Sequence, residues 1–272
     1  MNQPKAIIIT GYGINCDEET NFSFEKAGAS SRILHINDLI ANKYFLKEAQ
    51  ILVIPGGFSY GDDMGSGKGM ANKIKNNLFP EIFEFINQGK LILGICNGFQ
   101  VLVSLGLLPA LNGNYGRSEV ALIHNNSARF ECRWVKVKAF SKKCIFTRGI
   151  NELDIPIAHG EGNFYAPNHV LRELNKNDQI VLRYISANGK VANGKFPANP
   201  NGSLKDIAGV CDPTGRVMGL MPHPERSIFW YSHPDFQLEK EIALRNRKKM
   251  PDIYMPAMKI FENAVNYFKK QI

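Results

Sequence analysis

One cysteine stands where a sulfur nucleophile would be made. In Leu91-Ile92-Leu93-Gly94-Ile95-Cys96-Asn97-Gly98-Phe99-Gln100 an apolar run enters Gly94-x-Cys96-x-Gly98 and leaves as an apolar helix. This is the pattern of a strand-to-helix elbow with cysteine in place of serine. Its glycines matter because a Cβ on either side of the bend would crowd the neighbouring strand or helix. The bend lifts the sulfur out of the sheet and sets Cys96 at a helix N-terminus. There the positive end of the helix favours an anionic sulfur, and the Asn97 amide points toward an oxyanion forming beside it. A buried core cysteine before a helix fits the same pattern, so partners decide its meaning.

A base is available among the six histidines. His223 lies in Val217-Met218-Gly219-Leu220-Met221-Pro222-His223-Pro224-Glu225-Arg226, a strand ending in a rigid Pro-His-Pro turn. Proline on both sides restricts the backbone and holds the imidazole where the strand delivers it. Glu225, two residues on, can accept from one ring nitrogen and fix the tautomer of the other, the orienting role in a Cys-His-acid triad. The zinc deaminase reading of His-x-Glu fails for want of a downstream Pro-Cys-x-x-Cys. A third element, Ile54-Pro55-Gly56-Gly57-Phe58, follows an apolar run and can turn backbone amides toward the crevice; Gly57 is the candidate for the second oxyanion donor. Gly67-Lys68-Gly69 is not a phosphate loop, because Gly69 replaces the Ser or Thr and Asp62 replaces the leading glycine. Gly11-x-Gly13-x-x-Cys16 lacks the third glycine of a dinucleotide site.

The elements that must carry these residues alternate in type. Strands are expected over Ala6 to Thr10, Ser31 to Ile36, Ile51 to Ile54 and Leu91 to Ile95, with helices over Glu18 to Ala27 and residues 69 to 88. From about residue 117 the pattern is β-rich: Cys132 to Ala139, Ile155 to His159, Ile180 to Ser186, Ile207 to Cys211 and Val217 to Leu220. Asn193 to Ser203 is expected as an exposed connection and Pro256 to Lys270 as a closing helix. The fold class is α/β, an open, mostly parallel sheet flanked by helices with antiparallel additions, in one domain over 1–272.

Composition narrows the function. With 44% apolar and 21% charged residues the chain is neither disordered nor fibrous. Its apolar runs are far below the ~18–20 residues of a membrane span, and the N-terminus lacks a signal-peptide core, so a cytoplasmic location is expected. Five scattered cysteines with no CxxC pair argue against structural zinc or disulfides, and no metal is assigned. The net charge of +8 is dispersed; only Arg245-Asn246-Arg247-Lys248-Lys249 clusters, read as a solvated face, and nucleic acid is not expected as a partner.

Gly94-Ile95-Cys96-Asn97-Gly98-Phe99-Gln100 with Met221-Pro222-His223-Pro224-Glu225-Arg226 resembles the class I (triad) glutamine amidotransferases, a flavodoxin-like fold. Pro55 to Asp62, Asn126 to Cys132, His159-Gly160-Glu161-Gly162 and Asn199 to Ser203 are similar, in order, to the branch that forms the glutaminase component of phosphoribosylformylglycinamidine synthases. The resemblance implies that Cys96 attacks the carboxamide of L-glutamine and that His223 moves the protons. It further implies that Gln100, Arg129 and Phe130 hold the glutamine. By the same resemblance, ammonia passes to a separate ATP-dependent synthase subunit that makes formylglycinamidine ribonucleotide in purine biosynthesis, with a small third subunit bridging the two. ATP and magnesium would belong to that synthase, and this chain would bind no cofactor.

Two stretches depart from the branch: the wide Gly11-Tyr12-Gly13-Ile14-Asn15-Cys16-Asp17 loop, and an aromatic and basic insertion at about 227–255 carrying Phe229, Trp230, Tyr231, Phe236 and Tyr254. The insertion is either satellite packing or a docking surface. His159 and Glu161 are expected to support the site. Two other readings of the triad stay open: a standalone cysteine hydrolase cutting a peptide or γ-glutamyl bond, and a binding subunit that kept the fold without the activity.

Overall fold

Ile7, Ile8 and Ile9 leave no side of the first apolar run for water, a pattern that suits a strand covered on both faces. In the computed structural model, which describes residues 3–248 and 253–269, that run is β1 (Lys5–Thr10) and its interior is buried throughout. Chain order continues with α1 (Asp17–Ala27), β2 (Ser30–His35), α2 (Ile36–Ala41), α3 (Tyr44–Glu48), β3 (Ile51–Ile54), α4 (Lys68–Asn87), β4 (Leu91–Ile95) and α5 (Asn97–Ser104). The remainder holds β5 (Ala121–Ile123), β6 (Glu131–Ala139), β7 (Glu152–His159), β8 (Asn163–Tyr165), α6 (Asn168–Lys176), β9 (Ile180–Ile185), β10 (Ile207–Cys211), β11 (Val217–Leu220), α7 (Phe236–Arg245) and α8 (Met258–Lys269).

Nine strands make one sheet in the order β2-β1-β3-β4-β11-β10-β9-β6-β7, and β5 pairs with β8 apart from it. From β2 to β11 every pairing is parallel; from β11 through β10, β9 and β6 to β7 every pairing is antiparallel. The expected class is therefore the observed one. The parallel strands all end at one rim, the place where open α/β sheets collect ligands. The antiparallel half curls back to that rim: His223 N–H, beyond β11, donates to Pro156 O of β7 at 2.8 Å although three strands separate them in the sheet.

Helix ends obey local chemistry. α1 opens with Asp17, Glu18 and Glu19 at its positive end and stops at Gly28, whose left-handed backbone donates to Glu25 O and Phe24 O. α5 is buried on nearly every side, and Phe99, Val101 and Leu102 are fully removed from water, worth about 1.5–3 kcal/mol each. Such a helix cannot shift without exposing its core face, so it fixes the elbow that precedes it.

Two expectations are corrected. The stretch Asn193 to Ser203 is an exposed connection only in its first half: residues 193–197 are exposed, whereas Asn199, Asn201 and Ser203 are buried, and Asp206 gathers the Asn193 and Gly194 amides and the Asn199 side chain. A helix, α6, interrupts the supposedly continuous β-rich region. The 227–255 insertion contains α7 and a one-residue bridge between Phe229 and Tyr254, with Phe229 packed against Phe22, Tyr231 and Tyr254. Lys249 of the basic cluster and Lys270 of the closing helix lie outside the described residues. No helix among the described residues is long and apolar enough to cross a membrane.

Candidate active site

β3, β4 and β11 lie side by side, so the loops that follow them meet at one rim. Gly94 pairs with Gly219 and Ile95 with Leu220, and Cys96 N–H continues the ladder to Leu220 O at 2.8 Å. Directly after this bond the chain bends. Cys96 has φ 50° and ψ −105°, a conformation costing about 1–3 kcal/mol for a residue with a Cβ. Packing enforces it: a methyl on Gly98 would lie 1.8 Å from Ile54 O, and one on Gly94 would lie 2.6 Å from Gly98 O. The elbow glycines are thus required by close approach of backbone to backbone.

His223 is 2% exposed, and its Nδ1 lies 2.6 Å from Glu225 Oε1, also buried. Burial works to lower the imidazole pKa. The Glu225 carboxylate and the Cys96 sulfur outweigh it by charge, with the Cys16 sulfur adding a hydrogen bond, and raise the pKa well above 6.5. His223 Nε2 has no settled partner among the described residues and is free to work with the sulfur. Cys96 Sγ itself rests 3.7 Å from Ala158 O of β7 and is 5% exposed.

Gly57 and Asn97 complete the rim. Phe58 N–H donates to Gly13 O and Asn15 N–H to Gly56 O, which makes Ile14 and Gly57 the non-bonded pair of a bridge. Gly57 N–H therefore spends nothing on it. Asn97 is the first residue of α5, whose leading amides have no intrahelical acceptor. Two backbone donors thereby have no backbone acceptor: Asn97 N–H directly after Cys96, and Gly57 N–H on the loop after the neighbouring strand β3.

The other expected residues fall into two groups. Gln100 is buried and committed at both ends of its amide: Oε1 accepts from Asn97 Nδ2 at 3.0 Å and Nε2 donates to Glu161 O at 2.6 Å. It ties α5 to the loop after β7. Arg129 and Phe130 are exposed at the edge, with Phe130 tilted against Phe58 at 6.0 Å. His159 supports the site from within. Its Nδ1 lies 3.1 Å from Asn125 Oδ1 and its Nε2 3.5 Å from Asn201 Nδ2, and burial, with the charge of His223 adding, pushes its pKa down to about 3. Glu161 accepts from the Ser66 amide at 3.3 Å and approaches His124 at 3.6 Å.

Sequence reading missed four contributors. Asn125 holds Gly162 N–H, Arg129 O and His159 O with one side chain, and Asn201 holds Gly162 O. Asp62 accepts from Asn97 Nδ2, Gly67 N–H and Ser66 Oγ, and its carboxyl pKa is raised by burial and by the charge of Glu161. Cys16 lies beside His223. The motif blocks around Asp62 and Asn201 were visible, but nothing in them marks which polar side chain turns inward.

Known proteins are similar to this chain along nearly its whole length. Residues 3–268 match the CobB/CobQ-like glutamine amidotransferase domain. The phosphoribosylformylglycinamidine synthase subunit PurQ of Methanococcus maripaludis is 55% identical over 267 residues, 98% of each chain. The chain belongs to the PurQ family of glutamine amidotransferases. A PurQ of Dehalococcoides mccartyi is 43% identical over 272 residues, covering 99% of this chain and all of the relative. A chain of the PurLQS structure from Thermotoga maritima superposes with a TM-score of 0.71 at 30% identity, covering 98% of this chain and 99% of that one. Membership of the PurQ family decides between the readings that the triad alone left open, in favour of an amidotransferase.

Proposed function

We propose that this PurQ-family amidotransferase hydrolyses L-glutamine through Cys96 as the glutaminase component of a phosphoribosylformylglycinamidine synthase in purine biosynthesis. The observation that carries the mechanism is the meeting, on adjacent strand ends, of a strained cysteine, an imidazole oriented by a buried carboxylate, and two unspent backbone amides. Cys96 Sγ bonds to the carboxamide carbon of glutamine while His223 Nε2 takes the thiol proton. The carbonyl oxygen gathers charge against Gly57 N–H and Asn97 N–H, each such donor being worth about 10²–10³ in rate. The tetrahedral adduct expels ammonia with the proton held by His223 and leaves a γ-glutamyl thioester. Water, deprotonated by the same imidazole, then breaks the thioester to glutamate and frees the sulfur.

The ammonia goes to a separate ATP-dependent synthase subunit that converts formylglycinamide ribonucleotide to the amidine, and a small subunit bridges the two. Relatives named as subunits of that synthase, matched end to end, support this reading. ATP and magnesium belong to the synthase, and the glutaminase steps use only side chains and backbone of this chain. Cys96→Ala in the reconstituted complex should abolish glutamine-driven amidine formation, a fall of at least about 10⁴-fold, while ammonium salts still support it. Loss of both activities would break the proposed division of labour.

A further inference from the structure

A second sulfur lies against the catalytic imidazole, on the side away from Cys96's role. Cys16 caps α1 from inside the molecule; its Sγ is fully buried and 3.9 Å from His223 Nδ1, which is itself 2.6 Å from Glu225 Oε1. The sulfur, a ring nitrogen and a carboxylate oxygen all lie within 4.8 Å of one another. Glu225 Oε2 is buried without a hydrogen-bond partner, an independent sign that this cluster has coordinating capacity it does not use. Tetrahedral zinc, with Zn–S near 2.3 Å and Zn–N and Zn–O near 2.0–2.1 Å, needs donors roughly 3.3–3.6 Å apart. The present separations bracket that range.

We infer that Cys16, His223 and Glu225 form an inhibitory site for a soft divalent cation, zinc above all. This is not a cofactor site: the metal would arrest the enzyme. Zn²⁺ would replace the thiol proton of Cys16, which is released to solvent, and would take the Nδ1 lone pair of neutral His223 as its single ring proton shifts to Nε2; the thiolate and carboxylate would balance the metal's charge. Arg226 Nη2 now donates to Cys16 Sγ at 3.0 Å, and Glu19, 3.7 Å from Arg226 Nε, is placed to receive the displaced guanidinium. With Nδ1 on the metal, the remaining ring proton sits on Nε2, and His223 has no lone pair left to accept the Cys96 proton. A cation here therefore stops the base, not the nucleophile.

The binding claim stands apart from the glutaminase reading; only the inhibition rests on it. The test uses the full chain carrying Cys96→Ala and Cys132→Ser, which removes the nucleophile and the exposed thiol. Equilibrium dialysis with zinc chloride should find one Zn²⁺ per chain, and cobalt(II) should give a sulfur-to-metal charge-transfer band. Adding Cys16→Ser, which keeps an acceptor for Arg226, should erase that band and weaken zinc by at least ~10–100-fold. Glu225→Gln on the same background should weaken zinc as well, so the claim remains testable if the Cys16 variant fails to fold. Unchanged zinc affinity in these variants overturns the site. In the active chain, Cys16→Ser should raise the zinc concentration for half-inhibition of glutamine hydrolysis by the same factor. Equal inhibition of both proteins would mean that zinc caps Cys96, and would overturn the inhibitory mechanism.

Discussion

From the parallel half of the sheet the active site takes side chains, Cys96 after β4 and His223 after β11; from the antiparallel half it takes backbone, the carbonyls of Ala158 and Pro156 on β7. The two halves are also held together differently. Around the elbow, backbones touch with no room for a methyl, and fit is decided by repulsion. Around the β7 loop, Asn125, His159 and Asn201 are buried and spend nearly every donor and acceptor on one another or on backbone. The lesson is that reacting groups are placed by steric necessity, while the wall opposite them is placed by saturated hydrogen bonding, which is costly to leave incomplete.

If this contrast is right, the two halves fail by different amounts. Gly98→Ala should be the worst single change, costing about 4 kcal/mol or more in denaturant unfolding, because backbone must move to admit the methyl. A loss under 1 kcal/mol would remove the steric side of the comparison. Asn125→Ala creates no clash but strands Gly162 N–H and His159 O, and should cost roughly 2–3 kcal/mol by the same measurement. A neutral effect would show the network to be ornamental.

The network also has a pH signature. His159 is held neutral in the folded chain, its pKa down to about 3 against the ordinary 6.5, so between these values the unfolded chain binds the extra proton. Its contribution to stability is complete above pH 6.5 and drains as the pH falls, by ~1.4 kcal/mol per unit. Stability measured at pH 6.5 and 4.5 should show His159→Gln losing less than the wild type by about that slope; parallel curves would refute it. The smallest effect belongs to the rim. Phe130→Ala should change stability by no more than about 0.5 kcal/mol. It should raise KM for glutamine roughly two- to tenfold, the loss of one aromatic contact. An unchanged KM would remove Phe130 from the substrate.

How much of this was legible beforehand follows the same division. Gly94, Cys96, Gly98, His223, Glu225 and Gly57 announce themselves because a sharp bend, a rigid turn and a glycine pair leave local marks. The strands of the parallel half were readable nearly to the residue, as in Ile51–Ile54 and Leu91–Ile95, since doubly covered strands are uninterrupted apolar runs. The Asn199 to Ser203 stretch misled because Asn, Pro and Gly specify turning, not burial; whether a turn is solvated depends on acceptors far away in the chain. Helix α6 carried a readable apolar stripe, Val170, Leu171 and Leu174, lost among strand-like neighbours. Cys16 gave no local sign at all, for it meets His223 across 207 positions.

The in-register pairing of β4 with β11 has one more consequence. The gauge between nucleophile and base is borrowed from the pitch of a sheet, about 4.8 Å from strand to strand, instead of being tuned by two independent loops. A half-working enzyme with a slack triad is therefore not an accessible state: heat or denaturant should leave the catalytic spacing untouched until the central strands part, and then erase it in one step.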